Sequence, residues 1–308
     1  MAAAMTPPHP IQCPISNAPH TEAMNCKICG HPAEQLFSAR ILGKYDVAYS
    51  RCSACGFMQT EEPYWLAEAY ADAVSVYDVW SVSRPWQHST AVARLIEHCF
   101  ADSALPFLDF GGGTGIFVRA MRDLGYPFLR ADAYSPNLYA RLFDLTDHPS
   151  LRKFSLITCF EVFEHLPDPL ADLRSMFALA DTVFISTNLI PAGVKSVDDW
   201  YYFAPFHGQH VSFYTVAALQ ELARITGSRL LTDGENHHLL TRADLGLTPA
   251  DFAEIVTSRP AGLVRRMMRK AGNALLHLSR SSKWRHRDSL TWPDYVHVTE
   301  KLGRKTGR

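Results

Sequence analysis

The chain lacks the features that direct a protein into or across a membrane. No segment approaches the roughly eighteen uninterrupted apolar residues that span a bilayer. Residues 1–22 contain five prolines but neither the basic nor the apolar region of a signal peptide, so we expect a disordered tail there. A net charge of −1 over 308 residues gives no overall attraction to nucleic acid. The hydrophobic content of 47% is enough for a large core. Together these features favour a cytoplasmic protein.

Cysteine is sparse, but four of the seven cysteines form a pattern. Cys26 and Cys29 make one pair, Cys52 and Cys55 make another, and 22 residues separate the pairs. Two residues between the thiols let one turn direct both sulfurs at a single metal ion, and the gap suits two short hairpins. Four thiolates complete a tetrahedral shell, so the spacing predicts a structural zinc. Free or disulfide-bonded cysteines are the alternative, which the lack of an export signal disfavours.

Strand and helix signals alternate from residue 105 onward. Short apolar runs are followed by segments of helical periodicity, which predicts βαβ units and a parallel sheet with helices on both faces. Ser135 and Pro136 have the form of an N-cap and a first helical residue, so we expect a helix directly after the second strand. The predicted strands are 106–110, 128–132, 155–160 and 182–187, and the predicted helices are 116–124, one from 136, and 169–179.

A glycine-rich run follows the first of these strands. Gly111, Gly113 and Gly115 come after Asp109, so the backbone can approach a ligand closely and the next helix can present its N-terminus to it. A dinucleotide fingerprint has a further glycine or alanine where this chain has Ile116, and isoleucine would crowd a pyrophosphate. The run therefore disfavours NAD.

Two motifs resemble those of class I S-adenosylmethionine-dependent methyltransferases. The pattern Asp-x-Gly-x-Gly-x-Gly at 109–115 resembles their first motif, and Asp132 stands at the acidic position that holds the ribose hydroxyls. The stretch 154–169, with Glu-Val-Phe-Glu-His at 161–165, resembles the fourth-strand motif of the ubiquinone-type branch. It departs from that motif at Ser155, where aspartate is common.

With the cysteine pairs included, residues 26–240 resemble bacterial methyltransferases that carry an N-terminal zinc module. These include the sugar C-methyltransferases of deoxysugar pathways and relatives from polysaccharide gene clusters, which are generally longer. The resemblance implies S-adenosylmethionine as cofactor. The predicted fold is a Rossmann-like class I methyltransferase sheet with helices on both faces, plus an N-terminal zinc ribbon and a basic C-terminal helical extension. The cofactor residues that it implies are Asp109, Gly111, Gly113, Gly115, Asp132, Phe160 and Glu161.

Candidates for catalysis lie in the fourth-strand motif and after the predicted fifth strand. The family often has a histidine before a Ser-Phe-Tyr-like turn, which makes His210 the first candidate for a base or a substrate contact, followed by His207, His165 and Glu164. Glu164 and His165 could instead cap a helix and tie loops together, and the loop histidines could be buried hydrogen-bonded residues. A second metal centre on four histidines has no supporting spacing. Those histidines are His207, His210, His237 and His238.

The C-terminal region is basic. Residues 259–308 carry 13 Lys and Arg against 3 Asp and Glu, interleaved with apolar residues, which predicts a basic amphipathic helix, then a loop, then a segment 289–295 that returns to the body. It could contact a phosphorylated substrate, an anionic membrane surface or RNA, or simply dock on the domain as a solvated helix. We expect five regions: a tail 1–22, a zinc ribbon 23–60, a helical bridge 61–104, a methyltransferase domain 105–245 and the basic extension 246–308.

The sequence as a whole predicts an enzyme that transfers methyl groups from S-adenosylmethionine to a small molecule such as a sugar or a sugar nucleotide. Two other classes stay open. One is a non-catalytic scaffold on the same fold, and the other is an RNA methyltransferase. The chain lacks the Asn-Pro-Pro-Tyr-like motif of many amino-group nucleic-acid methyltransferases, so a nucleic-acid partner is disfavoured.

Overall fold

The computed structural model describes residues 24–71, 79–257 and 288–301. Within them the protein has a mixed α/β fold with two sheets. The larger sheet has six strands in the order β10-β11-β8-β7-β5-β6. Its strands are β5 (Phe107–Phe110), β6 (Phe128–Ala131), β7 (Ile157–Phe160), β8 (Thr182–Ser186), β10 (Arg229–Thr232) and β11 (His237–Thr241).

The centre of this sheet is parallel, as the alternating signals predicted. Strands β6, β5, β7 and β8 pair in parallel, and β11 and β10 add antiparallel strands at the β8 edge. The parallel strands are almost entirely buried, which is why their sequences are short apolar runs without alternation. Their carboxyl ends therefore lie at one edge of the sheet, where loops meet in an α/β fold.

Helices cover the sheet in two groups. Helix α2 (Ser83–Cys99) packs against both α3 (Ile116–Asp123) and α6 (Pro249–Thr257), and α4 (Pro169–Phe177) packs against α5 (Val216–Thr226) and β8. The predicted helices 116–124 and 169–179 are thus confirmed as α3 and α4. Asp168 caps α4 by accepting a hydrogen bond from the Ala171 amide, with proline in the first turn.

The helix predicted from Pro136 is wrong, because residues 135–144 form bends and turns. Side chains satisfy the backbone here in place of helical hydrogen bonds. Asp132 Oδ1 accepts from the amides of Tyr134 and Ser135, and the Asn137 side chain binds both the amide and the carbonyl of Ala140. The segment ends in a parallel bridge between Arg130 and Asp144.

The second sheet is antiparallel, in the order β1-β2-β3-β4-β9. Four of its strands come from the N-terminal region: β1 (Met24–Asn25), β2 (Pro32–Ile41), β3 (Tyr45–Cys52) and β4 (Met58–Thr60). The fifth, β9 (Ser212–Phe213), comes from the segment after the parallel sheet and pairs with β4. The short helix α1 (Leu66–Ala69) follows, and residues 72–78 of the predicted bridge lie outside the described residues.

The returning C-terminal segment forms helix α7 (Thr291–Lys301) on the body of the protein. Asp294 is buried and accepts from the guanidinium groups of Arg122 and Arg119, which lie on α3. The predicted basic helix falls on residues 258–287, and the predicted tail on residues 1–22; both lie outside the described residues. Among the helices that the structure describes, none combines the length and the apolar character that crossing a membrane requires.

Candidate active site

The four paired cysteines come together at the ends of strands β1 and β3. Cys26 Sγ lies 3.7 Å from Cys55 Sγ, Cys29 Sγ lies 3.4 Å from Cys52 Sγ, and Cys29 Sγ lies 3.7 Å from Cys55 Sγ. A tetrahedral ion with zinc–sulfur distances of about 2.3 Å holds its sulfurs roughly 3.8 Å apart. All four Sγ atoms lie within 4.8 Å of one another. The donor set therefore fits one zinc ion.

The glycine run forms a tight loop between β5 and α3. Gly111, Gly113 and Gly115 all have positive φ, at 69°, 54° and 88°. A Cβ at Gly111 would lie 2.5 Å from Cγ2 of Val162, and one at Gly112 would lie 2.7 Å from Oδ2 of Asp109. These positions must be glycine because the chain beneath them is packed. A Cβ at Gly113 would meet nothing within 4 Å, so that side of the loop is open to a ligand.

Two aspartates support this loop in different ways. Asp109 is buried beneath it and accepts a hydrogen bond from the Thr158 hydroxyl at 2.7 Å; burial raises the pKa of Asp109 to about 7. Asp132 is only partly buried and accepts from the Gly113 amide at 2.8 Å. Asp132 thus contacts the loop at Gly113, the glycine whose Cβ position is unobstructed.

The end of strand β7 carries Glu161 in a left-handed conformation, with φ at 53°. The Ser186 hydroxyl donates to Glu161 Oε1 at 2.6 Å, and Arg84 Nη1 of α2 lies 3.4 Å from Glu161 Oε2. The Phe160 ring lies edge-on to Phe117, in the first turn of α3. Phe160 and Glu161 are therefore at the carboxyl edge of the sheet, between the glycine loop and β8.

Glu164 lies below this edge and is 1% exposed. The Tyr202 hydroxyl donates to its Oε1 at 2.6 Å, and its buried Oε2 has no hydrogen-bond partner among the described residues. Burial and the nearby Glu161 raise the pKa of Glu164 to about 8. The carboxyl group is therefore largely protonated at neutral pH.

Histidines of two segments meet beside Glu164. The rings of His165 and His210 are 4.7 Å apart, and those of His207 and His210 are 4.8 Å apart. His165 Nε2 lies 3.9 Å from Glu164 Oε1, while His210 Nδ1 lies 2.5 Å from the Tyr202 carbonyl. Burial, together with neighbouring histidines, lowers the pKa of His165 to about 3 and that of His210 well below its usual range. Both rings are neutral at physiological pH.

The loop that carries His210 is tied to the β7 segment by its backbone. The Val211 amide donates to the Glu164 carbonyl at 2.8 Å, and the Ser212 hydroxyl donates to the Leu166 carbonyl at 2.6 Å. The structure thus brings together all four residues for which the sequence predicted catalysis: His207, His210, Glu164 and His165.

Sequence reasoning missed two tyrosines of this site. The Tyr70 hydroxyl lies 3.0 Å from His165 Nδ1, and the Tyr70 ring stacks on Tyr134 with centroids 4.7 Å apart. The second is Tyr202, whose hydroxyl contacts Glu164 and whose carbonyl contacts His210. No spacing in the sequence links Tyr70 to residues almost a hundred positions later, so only the fold could reveal that contact.

The four histidines considered for a second metal centre do not come together in the structure. His237 hydrogen-bonds Asp233 and His88, and His238 bonds the Thr232 hydroxyl and the Thr187 carbonyl. His207 and His210 instead lie beside His165. The four histidines therefore occupy two separate clusters.

Residues 86–232 match the family model described as a methyltransferase domain, which spans the glycine loop, Asp132 and the β7 motif. Residues 86–232 therefore form a methyltransferase domain, as the sequence predicted. A search of curated proteins found no match.

Solved methyltransferase structures resemble the chain only distantly. A 1,6-didemethyltoxoflavin-N1-methyltransferase of Burkholderia thailandensis is 18% identical over 67% of this chain and 97% of its own, with a TM-score of 0.39. Magnesium protoporphyrin IX methyltransferase of Synechocystis PCC 6803 is 15% identical over 58% of this chain and 93% of its own, with a TM-score of 0.38. Human N-acetylserotonin methyltransferase is 15% identical over 59% of each chain, with a TM-score of 0.39. Likenesses at this level do not identify the acceptor.

Proposed function

We propose that this enzyme methylates a sugar or a sugar nucleotide, with His210 as the base and a structural zinc in the N-terminal sheet. The observation that carries the proposal is the cluster of His165, His210 and Glu164 next to the cofactor edge of the sheet. It offers neutral imidazole nitrogens and a carboxyl group, which suit the hydroxyl groups of a polyol.

The cofactor position follows from the open side of the glycine loop. S-adenosylmethionine supplies an electrophilic methyl group on its sulfonium, and displacement at that carbon needs chiefly an aligned nucleophile. Asp132 would hold the ribose hydroxyls, since its oxygens keep acceptor capacity beside the bonds they already accept. Phe160 and Glu161 would line the same cavity from the end of β7.

His210 is the group best placed to take a proton from the acceptor. Its Nδ1 donates to the Tyr202 carbonyl, so the neutral ring keeps its lone pair on Nε2. The carboxyl group of Glu164 belongs to the same cluster, within 4.8 Å, so an imidazolium formed there would have a polar neighbour. Exposed rings of Tyr134, Tyr201 and Phe206 offer apolar faces on which a sugar could stack.

The cofactor part of the proposal is tested by calorimetric titration with S-adenosylmethionine and S-adenosylhomocysteine. We expect micromolar binding of both to the wild type. Asp132→Ala should weaken both by roughly tenfold or more, because hydrogen bonds to a charged group contribute about 1.5–3 kcal/mol. Zinc content should not change in that variant. Unchanged affinity would remove Asp132 from the site.

The acceptor part is tested by transfer of labelled methyl from S-adenosylmethionine to a panel of free sugars, sugar nucleotides, catechols and short RNA. We expect label in a sugar or sugar nucleotide only. Label in RNA, with binding that weakens steeply as salt rises, would replace the proposal with nucleic-acid methylation.

A further inference from the structure

A second series of hydrogen-bonded titratable residues, Asp233, His237 and His88, has no part in the proposed acceptor chemistry. We call this series the relay. It ends at the carboxyl edge of the parallel strands, where the cofactor is proposed to bind. Asp233 Oδ2 lies 3.0 Å from His237 Nδ1, and His237 Nε2 lies 3.3 Å from His88 Nδ1. The His88 ring stacks on Phe160 with centroids 4.2 Å apart and an interplanar angle of 19°. His88 is 7% exposed, and its Nε2 is buried without a hydrogen-bond partner among the described residues.

The secondary-structure elements that carry the relay place it close to the glycine loop. His237 begins β11 in register with Ser186, the last residue of β8, and Phe160 is the last residue of β7. Arg84, one helical turn before His88 on α2, lies against Glu161. The His88 ring therefore lies against Phe160 at the end of β7, and Phe117 from the first turn of α3 packs edge-on against the same Phe160 ring.

Asp233 determines which ring nitrogens of the relay carry a proton. Although burial opposes it, hydrogen bonds from His237 and from the amides of Glu235 and His237 lower the pKa of Asp233 to about 2. Burial, with His237 nearby, lowers the pKa of His88 to about 3, so its ring is neutral. When Asp233 accepts from His237 Nδ1, His237 Nε2 accepts from His88 Nδ1, and the lone pair of the neutral His88 ring stays on Nε2.

A buried acceptor at this position calls for a donor on the ligand, since an unpaired buried polar atom is costly. The amino-acid end of S-adenosylmethionine carries an ammonium with three N–H donors and a carboxylate. We propose that His88, held in one tautomer by Asp233 and His237, is a positioning residue that accepts a hydrogen bond from this ammonium. The inference rests on the proposed cofactor site and adds the residue that orients one end of it.

The test compares two ligands that share the nucleoside and the thioether sulfur. S-adenosylhomocysteine has the amino-acid end, and methylthioadenosine lacks it. His88→Leu should bind S-adenosylhomocysteine roughly tenfold more weakly while its methylthioadenosine affinity stays at the wild-type value. His88→Gln should recover part of the loss because its amide oxygen can accept a hydrogen bond. Asp233→Asn should show an intermediate loss, since the tautomer is no longer fixed.

His98→Leu, at an exposed position of the same helix, is the matched control and should change neither affinity. Equal loss of both ligands in His88→Leu and Asp233→Asn would make the relay purely structural and overturn the proposal. Full S-adenosylhomocysteine affinity in these variants would overturn it as well. Should His88→Leu fail to fold, the ratio of the two affinities in His88→Gln and Asp233→Asn decides. A wild type that binds neither ligand would instead remove the cofactor site itself.

Discussion

At the scale of single residues, the site depends on which groups lose their charge on folding. Glu164, His165 and His210 are all held in their neutral forms, because burial penalises the charged form of each. The neutral imidazole of His210 keeps a lone pair that can take a proton, and the carboxyl group of Glu164 lies in the same cluster. The cluster of Glu164, His165 and His210 is therefore uncharged until it takes a proton from the methyl acceptor.

His210→Ala should lower turnover on the true acceptor by roughly 10²–10⁴-fold, the usual contribution of general acid–base catalysis. Cofactor affinity should stay near the wild-type value, because the ring lies with Tyr202 and His165 and not on the glycine loop. Steady-state kinetics together with titration of S-adenosylhomocysteine measure the two effects. His98→Ala, at an exposed position on α2, is the control. Full activity in His210→Ala would exclude it as the base.

Glu164 should also leave a signature in the pH dependence of stability. Its pKa is raised from 4.5 to about 8 in the folded protein, so the folded state keeps a proton that the unfolded chain releases. The stability linked to this group is present below pH 4.5 and is lost as pH rises towards 8. Glu164→Gln cannot lose that proton. We expect its Tm to rise relative to the wild type between pH 5 and pH 8.5.

The exposed Glu34→Gln on β2 should run parallel to the wild type across the same pH range. A constant Tm difference for Glu164→Gln at all pH values would contradict the raised pKa. Differential scanning fluorimetry in matched buffers is enough to separate these outcomes.

At the scale of elements, the glycine loop shows how packing below a turn fixes its sequence. Gly111→Ala should abolish or strongly weaken cofactor binding, because its Cβ would lie 2.5 Å from Val162 and the backbone has φ at 69°. Gly193→Ala is the matched control, with φ at 82° but no atom within 4 Å of the new Cβ. Titration of S-adenosylhomocysteine measures both variants.

Adding Val162→Ala to Gly111→Ala should recover part of the affinity, since it removes both Cγ atoms that clash. If Gly193→Ala loses as much affinity as Gly111→Ala, then backbone strain anywhere in the chain, and not this contact, governs binding. The result therefore separates a local clash from a general loss of stability.

At the scale of the whole molecule, the cysteine-bearing sheet packs against the segment that carries His207 and His210. Strand β9 pairs with β4, the Trp65 indole donates to the Gly208 carbonyl at 2.7 Å, and the Gln209 side chain donates to the Ala69 carbonyl at 2.8 Å. Thr215, just after β9, donates its hydroxyl to the Cys55 carbonyl at 2.7 Å. The segment that carries His207 and His210 is thus held by the N-terminal region on several sides.

Cys52→Ser should therefore lower zinc content below one per chain, reduce soluble yield and lower acceptor turnover more than cofactor affinity, since metal binding and folding of a small module are coupled. Metal analysis, kinetics and titration of S-adenosylhomocysteine provide the three readouts. Cys99→Ser, a cysteine outside the pairs, should keep the zinc. A zinc stoichiometry of one in Cys52→Ser would show that the ligand set is wrong.

The sequence by itself determined the features that depend on local spacing. The cysteine pairs, the glycine run after a buried strand and the alternation of strands and helices each follow from neighbours within about thirty residues, so their pattern is legible in one dimension. The tertiary structure alone decided the rest. Asn137 and Asp132 replaced a predicted helix with a side-chain-bonded loop, Tyr70 reached His165, and His88 met His237 across almost 150 residues. Such contacts depend on which strand ends share a sheet edge, and no local propensity encodes that.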